Sequence, residues 1–232
     1  MLGKAPQDLA QTYSELQNRL TLYRPDGLAP ELLAVSKGHP ASRIRELFHL
    51  GQKRFGENYV QELLSKAEEL ADLSIEWVFI GHLQSNKIRK LLDVCTAIQT
   101  LAQWSHAEQI ARVIDQRGHA PFEVYLEVKV DVGDTKSGLA WGDVLPMSQR
   151  IQKELPQLRL RGLMAIPPSI YQDETFTEVP PLYRDLRDLA SQVGDGLLSL
   201  GMSGDLRLAL AAGSDQVRIG QALMGPRASR HE

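Results

Sequence analysis

Apolar residues recur along the chain with two spacings, one typical of helices and one typical of strands. Near the start, four apolar residues at helical spacing leave polar residues on the opposite face: Leu9, Tyr13, Leu16 and Leu20. A proline and a glycine within residues 24–27 end this pattern. The pattern predicts an extra N-terminal helix ahead of the main fold.

Eight short apolar segments follow, separated by amphipathic helical patterns. We interpret the eight as strands over residues 31–37, 53–57, 77–81, 97–100, 122–130, 158–166, 197–202 and 216–219. Helical patterns between them include Ile44, Leu47 and Phe48, then Leu63, Leu64, Ala67 and Leu70, and later Leu182, Leu186 and Leu189. Strict alternation of strand and helix predicts a parallel sheet covered by helices. Eight strands favour an α/β fold of the closed (β/α)₈ type, the TIM barrel, over an open sheet of about five or six strands.

Composition narrows the class of protein. The 232 residues are 43% hydrophobic and 24% charged, as in ordinary globular proteins, and without an obvious linker we expect one domain over residues 1–232. A net charge of −3 argues against a nucleic-acid partner. The basic run at residues 87–90 is interpreted as a solvated helix face.

Cys95 is the single cysteine, so an internal disulfide is excluded and a reducing compartment is indicated. The N-terminus lacks the apolar core of a signal peptide, and the apolar runs are too short to span a bilayer. The histidines at 39, 49, 82, 106, 119 and 231 lack the usual short spacings of metal ligands. We therefore expect a cytoplasmic protein with no membrane segment and no metal site.

Small, polar and basic residues follow several of the predicted strands. In this barrel the loops after the strands meet at one end, which is where active sites lie. The segments that follow strands are residues 36–39, 56–58, 81–86, 131–138, 164–168, 201–205 and 218–221. The C-terminal end of the barrel is therefore predicted to hold the site.

Lys37 falls at the predicted end of the first strand and shares strand parity with Leu33. If Leu33 points into the barrel, Lys37 does too, and desolvation of its amine should lower its pKa and make it a nucleophile for a Schiff base. The alternative from position alone is a lysine that extends to water.

The last two strand ends carry features of anion sites. Ser203 lies between Gly201 and Gly204 before a predicted helix, where it could cap the helix or donate its hydroxyl, and Gly220 allows a second close backbone approach. Phosphate-binding barrels commonly use these two loops. The alternative is an ordinary helix cap with packing glycines.

Arg218 shares parity with Gly220 and is expected to face the barrel interior. A structural ion pair with a carboxylate is one explanation for a guanidinium there. The pyridine nitrogen of pyridoxal 5′-phosphate (PLP) is another, since arginine is a known partner of that atom. Arginine would keep the nitrogen unprotonated and make the ring a poorer electron sink.

The segments that carry these residues resemble the pyridoxal-phosphate homeostasis protein family, single-domain barrels related to the N-terminal domain of alanine racemase (fold type III PLP proteins). The similar segments are LLAVSK (32–37), RFGENYVQE (54–62), WVFIGHLQSNK (77–87), GDTKSGL (133–139), GLMAIP (162–167), LSLGMSGD (198–205) and AGSDQVRIGQALMGPR (212–227). They extend in order over nearly the whole chain.

The resemblance implies a cofactor, PLP, held as a Schiff base on Lys37 with Arg218 at the pyridine nitrogen. It further implies that Ser203, Gly220 and the Gln221 backbone hold the phosphate. Asn58 would line the site, and His82 and Met164, at matching strand ends, are expected to line it as well.

The chain departs from alanine racemase in one respect. It ends at Glu232, soon after the eighth strand, without the racemase's C-terminal β-domain, and its tyrosines at 13, 23, 59, 125, 171 and 183 do not match the racemase's tyrosine base. Racemization needs an acid and a base on opposite faces of the carbon, and Lys37 supplies one of them. Without the β-domain interface we expect a monomer.

Three functions remain open at this point. The first is a non-enzymatic PLP-binding protein of intracellular vitamin B6 and amino-acid homeostasis, which delivers PLP to PLP-dependent apoenzymes. The second is an amino-acid racemase that uses Lys37 and His82. The third is a barrel without PLP that acts on a sugar phosphate.

Overall fold

The computed structural model describes residues 8–24, 26–118, 121–130, 137–172, 176 and 178–226. Its strands are all parallel and form one closed barrel in chain order, in which β1 pairs with both β2 and β8. The strands are β1 (Glu31–Val35), β2 (Arg54–Glu57), β3 (Glu76–Phe79), β4 (Cys95–Leu101), β5 (Phe122–Val128), β6 (Leu158–Ala165), β7 (Leu197–Ser199) and β8 (Gln216–Ile219). The predicted eight-stranded barrel is confirmed.

Helices cover the outside of the barrel. They are α1 (Leu9–Leu22), α2 (Ala41–His49), α3 (Val60–Glu69), α4 (Ile88–Leu91), α5 (Trp104–Arg117), α6 (Val144–Glu154), α7 (Pro181–Ala190), α8 (Leu206–Ala211) and α9 (Gln221–Met224). The predicted N-terminal helix is α1, which buries Leu9, Leu16 and Leu20. Arg89 and Lys90 are exposed on α4, as a solvated helix face requires.

Several strands differ in length from the prediction. The fourth extends over Cys95–Leu101 and is longer than the predicted 97–100. The first, third, fifth, sixth and seventh end one to three residues earlier than predicted. Apolar residues such as Ile80, Ile166 and Met202 continue past the last strand residue and line a cavity at the barrel mouth. An apolar residue at such a position therefore lines the cavity and does not mark a further strand residue.

Two apolar clusters make up the core. The larger one fills the space between strands and helices, and the smaller one contains Leu33, Val78, Ala97 and Ile80. The separation of the smaller cluster places it inside the barrel, which is packed as barrels of this size are. Leu33 thus points into the barrel, which is the condition on which the inward placement of Lys37 was predicted.

Polar side chains also cross the barrel interior. The Gln99 amide donates to Gln216 Oε1 at 2.5 Å, and Ser199 Oγ lies 3.0 Å from both Gln99 Oε1 and Gln216 Oε1. All three residues are buried. Mutual hydrogen bonding satisfies these groups, so this layer stabilises the barrel.

Charged residues at the N-terminal ends of the strands pair with one another. Arg54 at the start of β2 lies 2.9 Å from Glu31, 2.9 Å from Glu123 and 3.3 Å from Glu76. Although burial opposes it, the surrounding carboxylates raise the pKa of Arg54 above its ordinary value. These charges are satisfied within the fold, as is typical of the stability face of such barrels.

Among the described residues, no helix has the length and apolar character needed to cross a membrane. The same part of the chain contains no group of three or more histidine, cysteine, aspartate or glutamate side chains arranged to hold a metal ion.

Candidate functional site

A cavity of about 360 Å³ opens at the C-terminal end of the barrel, and we call it the barrel-mouth cavity. Its size is within the range of small-molecule sites. Its lining includes seven of the eight predicted site residues: Lys37, Asn58, Met164, Ser203, Arg218, Gly220 and Gln221. The fold thus places these seven residues around one cavity, although they lie far apart in the sequence.

Lys37 lies in a turn just after β1, which ends at Val35 and not at Lys37 as predicted. Ser36 continues the strand by one hydrogen bond, since its N–H donates to the Gly56 carbonyl at 3.0 Å. Gly38 then has a φ of 74°, in the left-handed region that favours glycine. The chain leaves the barrel at this point with the Lys37 side chain directed to the barrel-mouth cavity.

Arg218 is held on the inner side of β8, with 5% of its surface exposed. Its guanidinium donates to the Ser199 carbonyl at 2.7 Å, to Ser199 Oγ at 2.9 Å and to the Ala165 carbonyl at 2.8 Å. Burial lowers its pKa to about 10, while Asp205 and Glu127 oppose the shift from a distance. The side chain therefore keeps its charge at neutral pH.

The hydrogen bonds of Arg218 bear on the explanation for its position. A structural arginine would be expected to pair with a carboxylate. Among the described residues, the acceptors of Arg218 are two carbonyls and a hydroxyl, and no ion pair is formed. These contacts use three of the five guanidinium donors. A charged group with donors remaining on the wall of a cavity suits an acceptor that enters that cavity.

The turn between β7 and α8 is fixed from below by a buried carboxylate. Asp205 Oδ1 accepts the Met202 N–H at 2.6 Å, and Asp205 Oδ2 accepts the Tyr183 hydroxyl at 2.6 Å. Ser203 is exposed at the tip of this turn and lines the cavity. The interpretation of Ser203 as a helix cap is wrong, because α8 begins at Leu206 and Asp205 occupies the cap position.

Gly220 begins the other predicted anion loop. It stands at the cap position of α9, and Gln221 is the first residue of that helix. A Cβ added at Gly220 would lie 3.5 Å from the Val35 carbonyl, an ordinary contact. A side chain would therefore fit at this position without a clash. With glycine there, the backbone remains open to the cavity.

Asn58 follows β2 and presents an unsatisfied polar atom to the site. Its Oδ1 is buried with no hydrogen-bond partner among the described residues, and its Nδ2 lies 3.4 Å from the Ile80 carbonyl. A Cβ at Gly81 would overlap the Asn58 carbonyl, so only glycine allows the two loops to meet this closely. This acceptor on the cavity wall is available to a ligand that donates a hydrogen bond.

His82 is the predicted residue that does not line the barrel-mouth cavity. It is exposed and lines a neighbouring cavity of about 240 Å³ with Thr100, His106, Glu127 and Ser137. Burial and the nearby His82 lower the pKa of His106.

Burial raises the pKa of Glu127, although the Ser137 hydroxyl, Arg218 and His82 oppose that shift. A raised carboxyl pKa means that the native state holds its proton at higher pH than the unfolded chain does. The contribution of Glu127 to folding stability therefore falls as the pH rises above the ordinary pKa of a glutamate side chain. We expect Glu127→Gln to raise the free energy of unfolding by about 1 kcal/mol near pH 8 and by less near pH 5.

Denaturant unfolding of both proteins at the two pH values measures this effect. Glu108→Gln, on the exposed face of α5, is the matched control and should change little. An equal gain for Glu127→Gln at both pH values would contradict the assignment.

Six cavity residues were not named as site residues, although four of them fall in the predicted strand-end segments: Val35, His39, Ile80, Ile166, Met202 and Gly204. Ile80 and Ile166 follow β3 and β6 directly, so the strand-end rule that found Lys37 also covers them. Apolar side chains give no sequence signal of binding chemistry, so these two were not predicted as site residues.

Some of the quoted sequence segments extend beyond the described residues. Residues 133–136 of the GDTKSGL segment and Arg227 of the last segment lie outside them, as do His119 and His231.

Comparison with known proteins agrees with this geometry. Residues 7–228 match the family of alanine racemase N-terminal domains. The chain is 37% identical over 229 residues to the pyridoxal phosphate homeostasis protein of Pasteurella multocida, covering 95% of this chain and 97% of that protein. It is 38% identical over 227 residues to the protein of that name from Pseudomonas aeruginosa, covering 95% of each.

Solved structures show the same likeness. PipY of Synechococcus elongatus, solved with PLP bound, has a TM-score of 0.79 at 33% identity and covers 94% of this chain and 100% of that one. An alanine racemase of Bartonella henselae has a TM-score of 0.72 at 16% identity, which shows the fold alone. The match covers 94% of this chain and 58% of the racemase.

Fold and site together define a barrel of the alanine racemase N-terminal class. Within that class, the chain belongs to the pyridoxal phosphate homeostasis protein family. The relatives are named as homeostasis proteins and not as enzymes.

Proposed function

We propose that the chain binds PLP in the barrel-mouth cavity and serves in intracellular PLP and amino-acid homeostasis. The observation that carries this proposal is that one cavity presents Lys37, Arg218 and the two anion loops together. The relative PipY has been solved with PLP bound, which supports the same assignment.

The residues on the cavity wall fit the parts of PLP. When bound, PLP supplies an aldehyde that an amine can hold covalently and a ring that withdraws electrons. Lys37 would hold the aldehyde carbon through its amine, and Arg218 would face the pyridine nitrogen. Backbone N–H groups beside Ser203, Gly220 and Gln221 would hold the phosphate, and the acceptor on Asn58 would take a ring hydroxyl.

The same residues support a holding role without efficient turnover. Arg218 keeps its positive charge and so disfavours a proton on the pyridine nitrogen, which weakens the ring as an electron sink. A second base is also required for racemization. No tyrosine stands among the described lining residues, and His82 faces the neighbouring cavity. These features favour a PLP-binding protein over a racemase.

We further propose that the protein works as a cytoplasmic monomer of one domain that passes PLP to apoenzymes that require it. The described strands close into a barrel, so a second copy could not add a strand to a free sheet edge. Sedimentation equilibrium giving two chains per particle at micromolar concentration would overturn the monomer.

Absorbance spectroscopy tests the central proposal. Adding PLP to the purified protein should produce a yellow species, and borohydride should fix the cofactor on the peptide that contains Lys37. Pyridoxal without its phosphate is the matched control, and it should bind far more weakly because the anion loops have no partner. No colour, or an adduct on another peptide, would contradict the site.

Chiral analysis separates the two roles. Alanine incubated with the loaded protein should keep its configuration over the time in which an ordinary enzyme completes many turnovers. Racemization at ordinary enzymatic rates that is lost in Lys37→Ala would establish the enzyme instead.

A further inference from the structure

A buried ionic cluster lies directly beneath the turn that carries Lys37, and we call it the Lys66 cluster. It contains Lys66 and Glu62 of α3, Glu57 at the end of β2, and Ser36 after β1. The Lys66 ammonium lies 2.6 Å from Glu57 Oε1, 2.7 Å from Glu62 Oε1 and 2.7 Å from the Ser36 carbonyl. The cluster connects three elements at the C-terminal end of the barrel.

Burial shows that Lys66 is not a solvated helix lysine. Only 6% of its surface is exposed, and Glu57 is fully buried at 0%. An ammonium group has three N–H donors, and the three acceptors match that number. Lys66 is therefore committed to its partners and is not a second amine for a ligand.

The contacts of the cluster converge on the two neighbours of Lys37. Ser36 donates its hydroxyl to Glu57 Oε1 at 2.7 Å and offers its carbonyl to Lys66. On the other side, the Gly38 N–H donates to Glu62 Oε1 at 2.5 Å. The backbone on both sides of Lys37 is thus held by charge-assisted hydrogen bonds, which are stronger than neutral ones.

Stability alone gives little reason for such a cluster. Desolvating three charges is costly, and apolar side chains of similar volume often stabilise a core equally well. Burial raises the pKa of Glu57 even though Lys66 and Ser36 oppose the shift, which indicates how costly its charge is at this position. Glu57 Oε2 is also buried without a partner among the described residues. What the cluster provides is a fixed position for one short turn.

We propose that Lys66, with Glu57 and Glu62, is a positioning residue that holds the Ser36–Gly38 turn so that the Lys37 amine is placed to capture a carbonyl ligand in the barrel-mouth cavity. This inference rests on the proposed function. Fixing the amine in advance lowers the entropic cost of capture, and small misplacements of a reacting group cost large factors in rate.

The capture step balances without another reactant. The Lys37 nitrogen forms a bond to the aldehyde carbon of PLP, and the carbonyl oxygen leaves as water after taking up the two amine protons. The Lys66 cluster takes no part in this exchange of bonds. Its effect is on the position of the Lys37 nitrogen before the new bond forms.

Stopped-flow absorbance after mixing with PLP tests the inference. Glu62→Gln removes the charge that holds both Gly38 and Lys66, and it is only partly buried, so folding should tolerate the change. We expect capture to slow by roughly tenfold in Glu62→Gln and more in Lys66→Met. Glu69→Gln, on the exposed face of the same helix, is the matched control and should leave the capture rate unchanged.

A second ligand separates positioning from general damage to the site. Pyridoxine 5′-phosphate has the ring and the phosphate but no aldehyde, so its affinity measures noncovalent binding in the cavity alone. We expect its dissociation constant to stay within about twofold of the original in Glu62→Gln, because Arg218 is held by Ser199 and Ala165 and not by the cluster.

The possible outcomes are distinct. An unchanged capture rate in folded Glu62→Gln, or an equal loss of capture and of pyridoxine 5′-phosphate binding, would overturn the positioning role. Failure of the unmutated chain and of Glu69→Gln to capture PLP would overturn the proposed function itself. If Lys66→Met does not fold, Glu62→Gln alone decides.

Discussion

Replacing Lys37 with alanine is expected to abolish covalent capture of PLP completely. No other described lysine lines the barrel-mouth cavity, so borohydride should fix no cofactor on the variant. Arg218 and the anion loops stay in place, and PLP should still bind noncovalently with an affinity lower by about 10- to 100-fold. Mass spectrometry of the reduced protein measures the adduct, and equilibrium dialysis measures the remaining affinity.

Lys90→Ala is the matched control for Lys37→Ala, since Lys90 is exposed on α4 and does not line the barrel-mouth cavity. It should keep both the adduct and the affinity. Capture that survives in Lys37→Ala would assign the reactive amine to another residue and remove the basis for the Lys66 cluster as a positioning device.

Arg218→Gln is expected to affect folding and cofactor binding together. The shorter amide cannot reach both the Ser199 and Ala165 carbonyls, and the buried acceptors then lose charge-assisted partners. We expect a loss of about 3 kcal/mol in the free energy of unfolding. PLP should bind more weakly with an altered absorbance spectrum, because the pyridine nitrogen then faces a neutral group.

Measurements on Arg218→Gln need to separate the two effects. Denaturant unfolding gives the stability, and titration at a temperature where the variant is fully folded gives the affinity. Arg112→Gln, exposed on α5, should change neither. A variant that is destabilised but keeps the original affinity and spectrum would leave Arg218 with a structural role only.

The barrel could be predicted because its signal is repeated. Each strand is a short apolar run between amphipathic helices, so an error at one strand does not disturb the count. The ends of the strands were less predictable because apolar residues there face a cavity. At β1, for example, the strand ends at Val35 although burial continues through Ser36, because the backbone turns at Gly38.

The cavity lining was predictable where a reactive or charged side chain falls at a strand end, as at Lys37 and Arg218. His82 shows the limit, because a residue at a strand end can turn toward either of two adjacent spaces. The Lys66 cluster shows another. Lys66 falls three residues after Leu63 on the buried face of α3, where a lysine is normally taken as an interruption of the pattern. Only the fold brings Glu57 beneath it.

The packed interior of the barrel has a consequence for how a ligand is exchanged. Leu33, Val78, Ala97 and Ile80 fill the space below the cavity, and paired charges close the far end. In the part of the chain that the structure describes, a molecule bound beside Lys37 therefore has packed side chains beneath it and an opening above. It must leave by the route through which it entered, so any acceptor that takes it directly has to approach the rim formed by the strand ends. A partner that covers this opening would then control both the binding and the release of the ligand.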